Sequence, residues 1–155
     1  MELLNLKTLV CYRAPNSGFG CGVEAEHRFM TDSWLKDQVY LDCTLSQFIE
    51  RASMLIDGTE RVEGFLYVPE TLEFVAQAIY HVGVDMHYGK IAMPISIITL
   101  PKYRGNKQIA RALIGVKRQV IRRLGATKYL EVRNLSGTEQ YSRVKYVELY
   151  NGKGI

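Results

Sequence analysis

LPKYRGNKQIARALI, residues 100–114, decides the fold. A Pro and a Gly punctuate a short basic turn, and an amphipathic run follows at once. Ile109, Leu113, Val116, Val120 and Leu124 recur at i, i+4, i+7, i+11 and i+15, which is one face of a long helix. Asn106 is placed to cap its start, and Gly125 to end it. The opening of that helix either cradles an anion or is a basic turn before a core helix.

Working outward, KIAMPISIITL (90–100) reads as a strand, and Pro94 inside it argues for an edge position or a bulge. RVEGFLYV (61–68) and LEFVAQAIYHVGV (72–84) are rich in β-branched and aromatic residues and read as an antiparallel hairpin. In TLSQFIERASMLIDG, the positions Leu45, Phe48, Ile49, Ala52 and Leu55 share one helix face, with Gly58 just past the end. Residues 22–40 look helical with weak periodicity, PNSGFGCG is a loop, and LKTLVCYRA is a candidate first strand. Beyond the long helix, KYLEVRN (128–134) is a strand. A short polar segment with a short helix and a last strand VKYVELY (144–150) complete the pattern. A strand–long helix–strand unit implies a parallel pair. The expected class is α/β or α+β with a mixed sheet.

A chain of 155 residues, 47% hydrophobic, suits a single domain over 1–155. No run of about 18 apolar residues is present, so no membrane partner is expected. The start MELLNLKTLVCYRAPNSG lacks the basic opening and apolar stretch of a secretory signal, so a cytoplasmic location is the expectation. Cys11, Cys21 and Cys43 are odd in number and show no metal spacing, which fits buried structural thiols in a reducing compartment. The net charge is +4, and no acid interrupts the basic residues between Lys102 and Arg123. Such a block favours a nucleotide, a nucleic acid or an acidic surface, against the plainer alternative of a solvated helix face. Lys117, Arg118, Arg122 and Arg123 could track phosphates, but no aromatics cluster on that helix to stack bases.

In this order the residues resemble the GNAT acetyltransferase superfamily, most clearly over 91–146. That family has a strand ending in V-x-P, then aromatic-Arg-Gly, then an R/Q-x-x-G-x-G/A loop that opens a long helix. Thr99, Pro101, Tyr103, Arg104 and Gly105 fall in that order and spacing. YLEVRN resembles the family's L-x-V-x-x-x-N strand with one fewer residue before Asn134. Tyr141, seven residues on, opens YSRVKY, which resembles Y-x-K-x-G-F with Arg143, Lys145 and Tyr146 in place of Lys, Gly and Phe. Counting back from Ala110, Gln108 replaces the family's central Gly, and Gly105 holds the first position.

The resemblance implies a GNAT-like, mostly antiparallel twisted sheet flanked by helices. It also implies direct acetyl transfer from acetyl-CoA to an amine on a small molecule, a protein or an RNA-linked group. Residues 104–110 (Arg104, Gly105, Asn106, Lys107, Gln108, Ile109 and Ala110) would receive the pyrophosphate, because the first N–H groups of a helix lack internal partners. Ile98, Thr99 and Leu100 would pair their main chain with the pantetheine arm. Asn134 would bond backbone or cofactor. Tyr141 would protonate the leaving thiolate, and Asp85 or His87 would serve as base. The altered loop also admits a non-catalytic assembly protein on the same fold, a viral one included, and a homo-oligomer or larger assembly is compatible with either.

Overall fold

A computed structural model describes residues 3–38, 41–134 and 140–146, with side chains through Glu131 and again at Val144 and Lys145. The elements are β1 (Lys7–Arg13), α1 (Val23–Asp37), α2 (Leu45–Asp57), β2 (Arg61–Val68) and β3 (Glu73–Asp85). They continue with β4 (Gly89–Thr99), a 3-10 turn (Pro101–Tyr103), α3 (Lys107–Arg123), β5 (Lys128–Asn134) and β6 (Gln140–Tyr146). The strands lie in sequence order in one six-stranded sheet. All neighbours are antiparallel except β4 and β5, which α3 connects and which run parallel. The architecture is mixed α/β, mostly antiparallel, with three helices flanking the sheet.

The expected elements form with one shift. The last strand covers Gln140–Tyr146, not 144–150, so Tyr141 lies within it, paired in register with Arg133. Residues 147–150 and the segment 135–139, where a short helix was expected, lie outside the described residues.

Alternation along β2 explains the layering. Val62, Gly64 and Leu66 face α3, where Val62 and Leu66 pack in one core with Ile109, Val116 and Val120. Phe65 faces α1 and packs with Phe29, Ile98 and Leu100. Met30 of α1 and Ile56 of α2 meet Ile79 of β3. The middle strands therefore carry apolar residues on both faces. A Cβ at Gly64 would lie 2.5 and 2.6 Å from methyls of Val116 and Val120, so glycine here lets α3 sit close on the sheet.

Pro94 produces the bulge. In the β3–β4 ladder Ile79 pairs with Ser96 and Tyr80 with Pro94, leaving Ile95 as the extra residue. On its other edge, β4 meets β5 at Ala92 and Tyr129. No further pair joins β4 to β5 among the described residues, although both strands run on in the same direction. The last β4–β5 pair, at Ala92, lies two residues before Pro94.

Polar residues tie α1 to the opposite face. Arg61 and Glu63 are fully buried and paired at 2.8 Å. Arg61 also donates to the Thr59 and Gly18 carbonyls at 3.0 and 2.7 Å, and Glu63 accepts from Gly20 N–H at 2.7 Å. The loop before α1 is thereby fastened to β2. Further along the same layer, Gln77 Nε2 donates to Glu26 Oε1 at 3.0 Å and to Ser96 Oγ at 2.8 Å. Burial pushes the Glu26 carboxyl up to about 7, against the hydrogen bonds from Gln77 and Cys21.

Two stability predictions follow from this packing. Gly64→Ala forces the α3 valines away from β2 and should destabilise the protein by about 1–3 kcal/mol in urea denaturation. Glu26 holds its proton more tightly folded than unfolded, so its contribution to stability falls as pH rises from about 4.5 to about 7 and is level above that. The total is on the order of 3 kcal/mol. Urea midpoints measured from pH 5 to pH 8 should show that decline in the parent and a flatter profile in Glu26→Gln.

Candidate functional site

Beyond Ala92 the parted edge of β4 opens beside the start of α3. Between them lies a cleft of about 280 Å³, lined by Ile97, Ile98 and Thr99 of β4 and by Tyr103, Arg104, Gly105, Asn106, Ile109, Ala110 and Leu113. Lys36 of α1 reaches it from the other side. Among the described residues no carboxylate lines this cleft, and its electrostatics come from Lys36, Arg104 and the helix terminus.

The loop is held by its own main chain. Tyr103 N–H donates to Leu100 O at 2.9 Å, Arg104 N–H to Pro101 O at 3.2 Å, and Asn106 N–H to Tyr103 O at 3.2 Å. Gly105 has φ +85°, a left-handed conformation that turns the chain into α3 at no steric cost. Asn106 caps the helix by accepting from Ile109 N–H at 3.0 Å. The N–H groups of Gly105, Lys107 and Gln108 have no acceptor among the described residues. Arg104 Nε donates to Thr99 O at 2.9 Å, which places its guanidinium at the end of β4. Tyr103 O–H donates to Glu73, and Lys102 pairs with the same carboxylate at 3.3 Å. The Tyr103 hydrogen bond first, and Lys102 second, hold the Glu73 carboxyl below its usual range.

Ile98, Thr99, Arg104, Gly105, Asn106, Ile109 and Ala110 are thus brought together as expected from sequence. Leu100 is not. Its N–H donates to Val75 O at 2.9 Å, and its side chain packs in the core beside Phe29. Lys107 brings its backbone to the helix start, but its side chain does not line the cleft. Gln108 is the main correction. Its Oε1 accepts from Leu4 N–H at 2.8 Å and its Nε2 donates to Leu4 O at 2.7 Å. The amide is a clasp for the N-terminal segment, turned out of the cradle, and contributes no side chain to the cleft.

Asp85 and His87 are not brought to the cleft either. They sit at the β3–β4 turn, and Thr99 is at the far end of β4, roughly 30 Å along the strand. Asp85 Oδ1 accepts from the N–H groups of His87 and Tyr88 at 2.7 and 3.0 Å, so it shapes the reversal. The His87 side chain is 77% exposed. The side chains of Asn134 and Tyr141 lie outside those described. All three cysteines are free and half-buried. Burial foremost keeps the Cys11 and Cys21 thiols protonated, which suits packing and not nucleophilic attack.

Sequence reasoning missed Lys36, because α1 is weakly periodic and gives no sign of which residue faces a cleft. It also missed a second groove of about 320 Å³ between α1, α2 and β4. The two hollows share Ile97.

No protein-family model matches the chain, and no curated protein matches it. Solved structures do. A protein of Pyrococcus furiosus assigned as an acetyl transferase superposes with TM-score 0.55 at 18% identity, over 79% of this chain and 80% of its own. An acetyltransferase of Streptococcus agalactiae superposes with TM-score 0.52 at 15% identity, over 83% of this chain and 74% of its own. With its parted parallel pair and the helix that opens beside it, the chain carries the fold of the GNAT acetyltransferases.

Proposed function

We propose that the protein is an N-acetyltransferase that uses acetyl-CoA and transfers the acetyl group directly to an amine. One observation carries this: among the described residues, unpartnered helix-terminal N–H groups open into a cleft lined by no carboxylate, beside a strand edge with no pairing to β5. The donor set fits coenzyme A. The N–H groups of Gly105, Lys107 and Gln108 can donate to pyrophosphate oxygens, and Lys36 and Arg104 add positive charge. The free edge of β4 at Ile97 offers main-chain groups to an amide-bearing arm, as strand addition does. When bound, the thioester supplies an activated acetyl group. The chain's own tasks are to align that group at the junction of the two hollows and to protonate the departing sulfur. Tyr141 is the residue proposed for the second task, and Asn134 for a hydrogen bond at the end of β5.

The alternative of an assembly protein that has lost the cofactor draws its support from the altered loop at Gln108 and from Lys145 in place of a Gly. With that side chain clasped to Leu4, the departure from the family pattern leaves the backbone of the cradle open.

Calorimetric titration with acetyl-CoA tests the proposal. Saturable binding is expected in the parent. Arg104→Glu and Ala110→Glu each place a negative charge in the cleft and should weaken binding at least tenfold. Gln108→Ala should lower stability by about 1–2 kcal/mol through the lost clasp while leaving acetyl-CoA affinity within about twofold. A folded protein without measurable affinity would refute the cofactor assignment.

A further inference from the structure

The groove beside the cleft has a chemistry of its own. Its walls are mostly apolar, with Met30, Phe48, Leu55, Ile56 and Ile95 prominent. Four residues with polar side chains interrupt them: Ser33 and Asp37 from α1, Arg51 from α2 and Ser96 from β4. Asp37 is the one carboxylate, and Arg51 the one cation, among the described residues lining it. Neither makes an ion pair among the described residues. Ser96 already accepts from Gln77 Nε2, so its own hydroxyl proton remains available to a guest. Lys36 and Asp37 are consecutive in the last turn of α1, and each lines a different hollow.

These charges discriminate among amines. A polyamine carries several positive charges and needs several carboxylates, whereas the groove provides one and adjoins a cleft lined by Lys36, Arg104 and a helix N-terminus. A phosphate-rich acceptor such as RNA would meet Asp37 and a predominantly apolar wall. One acid, one base and apolar walls match a guest with one ammonium, one carboxylate and a hydrocarbon body.

We propose that the acceptor is a hydrophobic aminocarboxylate, seated in the α1–α2 groove with its carboxylate on Arg51 and its ammonium drawn in by Asp37. This rests on the acetyltransferase function proposed above. The ammonium first loses one proton, by way of Asp37, to solvent. The neutral nitrogen then attacks the thioester carbon at the Ile97 junction. A C–N bond forms, the C–S bond breaks, and the nitrogen's second proton ends on the coenzyme A thiol. The products are an N-acyl aminocarboxylate and free coenzyme A.

Binding can be read without turnover. Calorimetry of the full chain with L-phenylalanine, phenylalaninamide and spermidine should rank the acid at least tenfold tighter than the other two. Arg51→Ala should bring acid and amide to near-equal affinity, and its unchanged melting temperature would show that the fold is intact. Asp37→Asn should weaken L-phenylalanine but leave N-acetylphenylalanine, which lacks the ammonium, unaffected. Tighter binding of the amide or of spermidine, or an acid preference that survives in Arg51→Ala, would overturn the proposal. Coenzyme A affinity measured on the same samples separates the two ideas. Cofactor binding with no acid preference removes the aminocarboxylate alone. Loss of cofactor binding removes the acetyltransferase function, while the amino-acid titrations still report on the groove.

Discussion

Once a proline stands in the middle of β4, that strand cannot keep a full ladder along both edges. Pro94 has no N–H to give, and the chain answers with an extra residue, Ile95, on the β3 side. On the β5 side, pairing is found at Ala92 and Tyr129. A parallel sheet that parts in this way exposes main-chain groups that need partners. Because α3 is the connection between the parted strands, its first turn is brought to the same opening. The opening thus combines a free strand edge with a helix terminus of positive potential.

Rigidity around this opening comes from both faces of the sheet. On one side Gly64 lets Val116 and Val120 pack directly on β2, so the axis of α3 is fixed by close contact. On the other, the buried Arg61–Glu63 pair gathers the loop that leads into α1. Removing one member of such a pair leaves an uncompensated buried charge, at about 3–5 kcal/mol. That loop in turn sets the position of α1, and so of Lys36 and Asp37 at its last turn. The clasp between Gln108 and Leu4 ties the N-terminal segment to the same helix.

What could be recognised in the sequence is what periodicity and punctuation encode. The apolar stripe of α3, its Asn106 cap, the Thr44 capping box with Gln47 on α2 and the β2–β3 hairpin are local features with local causes. Pro94 announced a bulge, but nothing local says that a bulge on one edge will coincide with strand parting on the other. Gln108 misled for a similar reason. Its position in a helix opening suggests a phosphate ligand, whereas its partner, Leu4, lies more than a hundred residues away. Asp85 and His87 lie at the turn end of β4, away from the cleft, because proximity in sequence to a strand says nothing about which end of it a residue occupies. The groove residues Asp37, Arg51 and Ser96 come from three elements, and their convergence is a property of packing alone.

The most direct test of the account is a residue-resolved map of whether, and where, coenzyme A touches the chain. In a ¹⁵N-labelled sample titrated with coenzyme A, the largest amide shifts should fall on Ile97, Ile98, Gly105, Lys107 and Gln108. Amides of the basic far end of α3, Lys117 to Arg123, should stay nearly still. Shifts concentrated on that far end, or spread evenly over the basic surface, would contradict the claim that the parted strands and the helix mouth form the binding site.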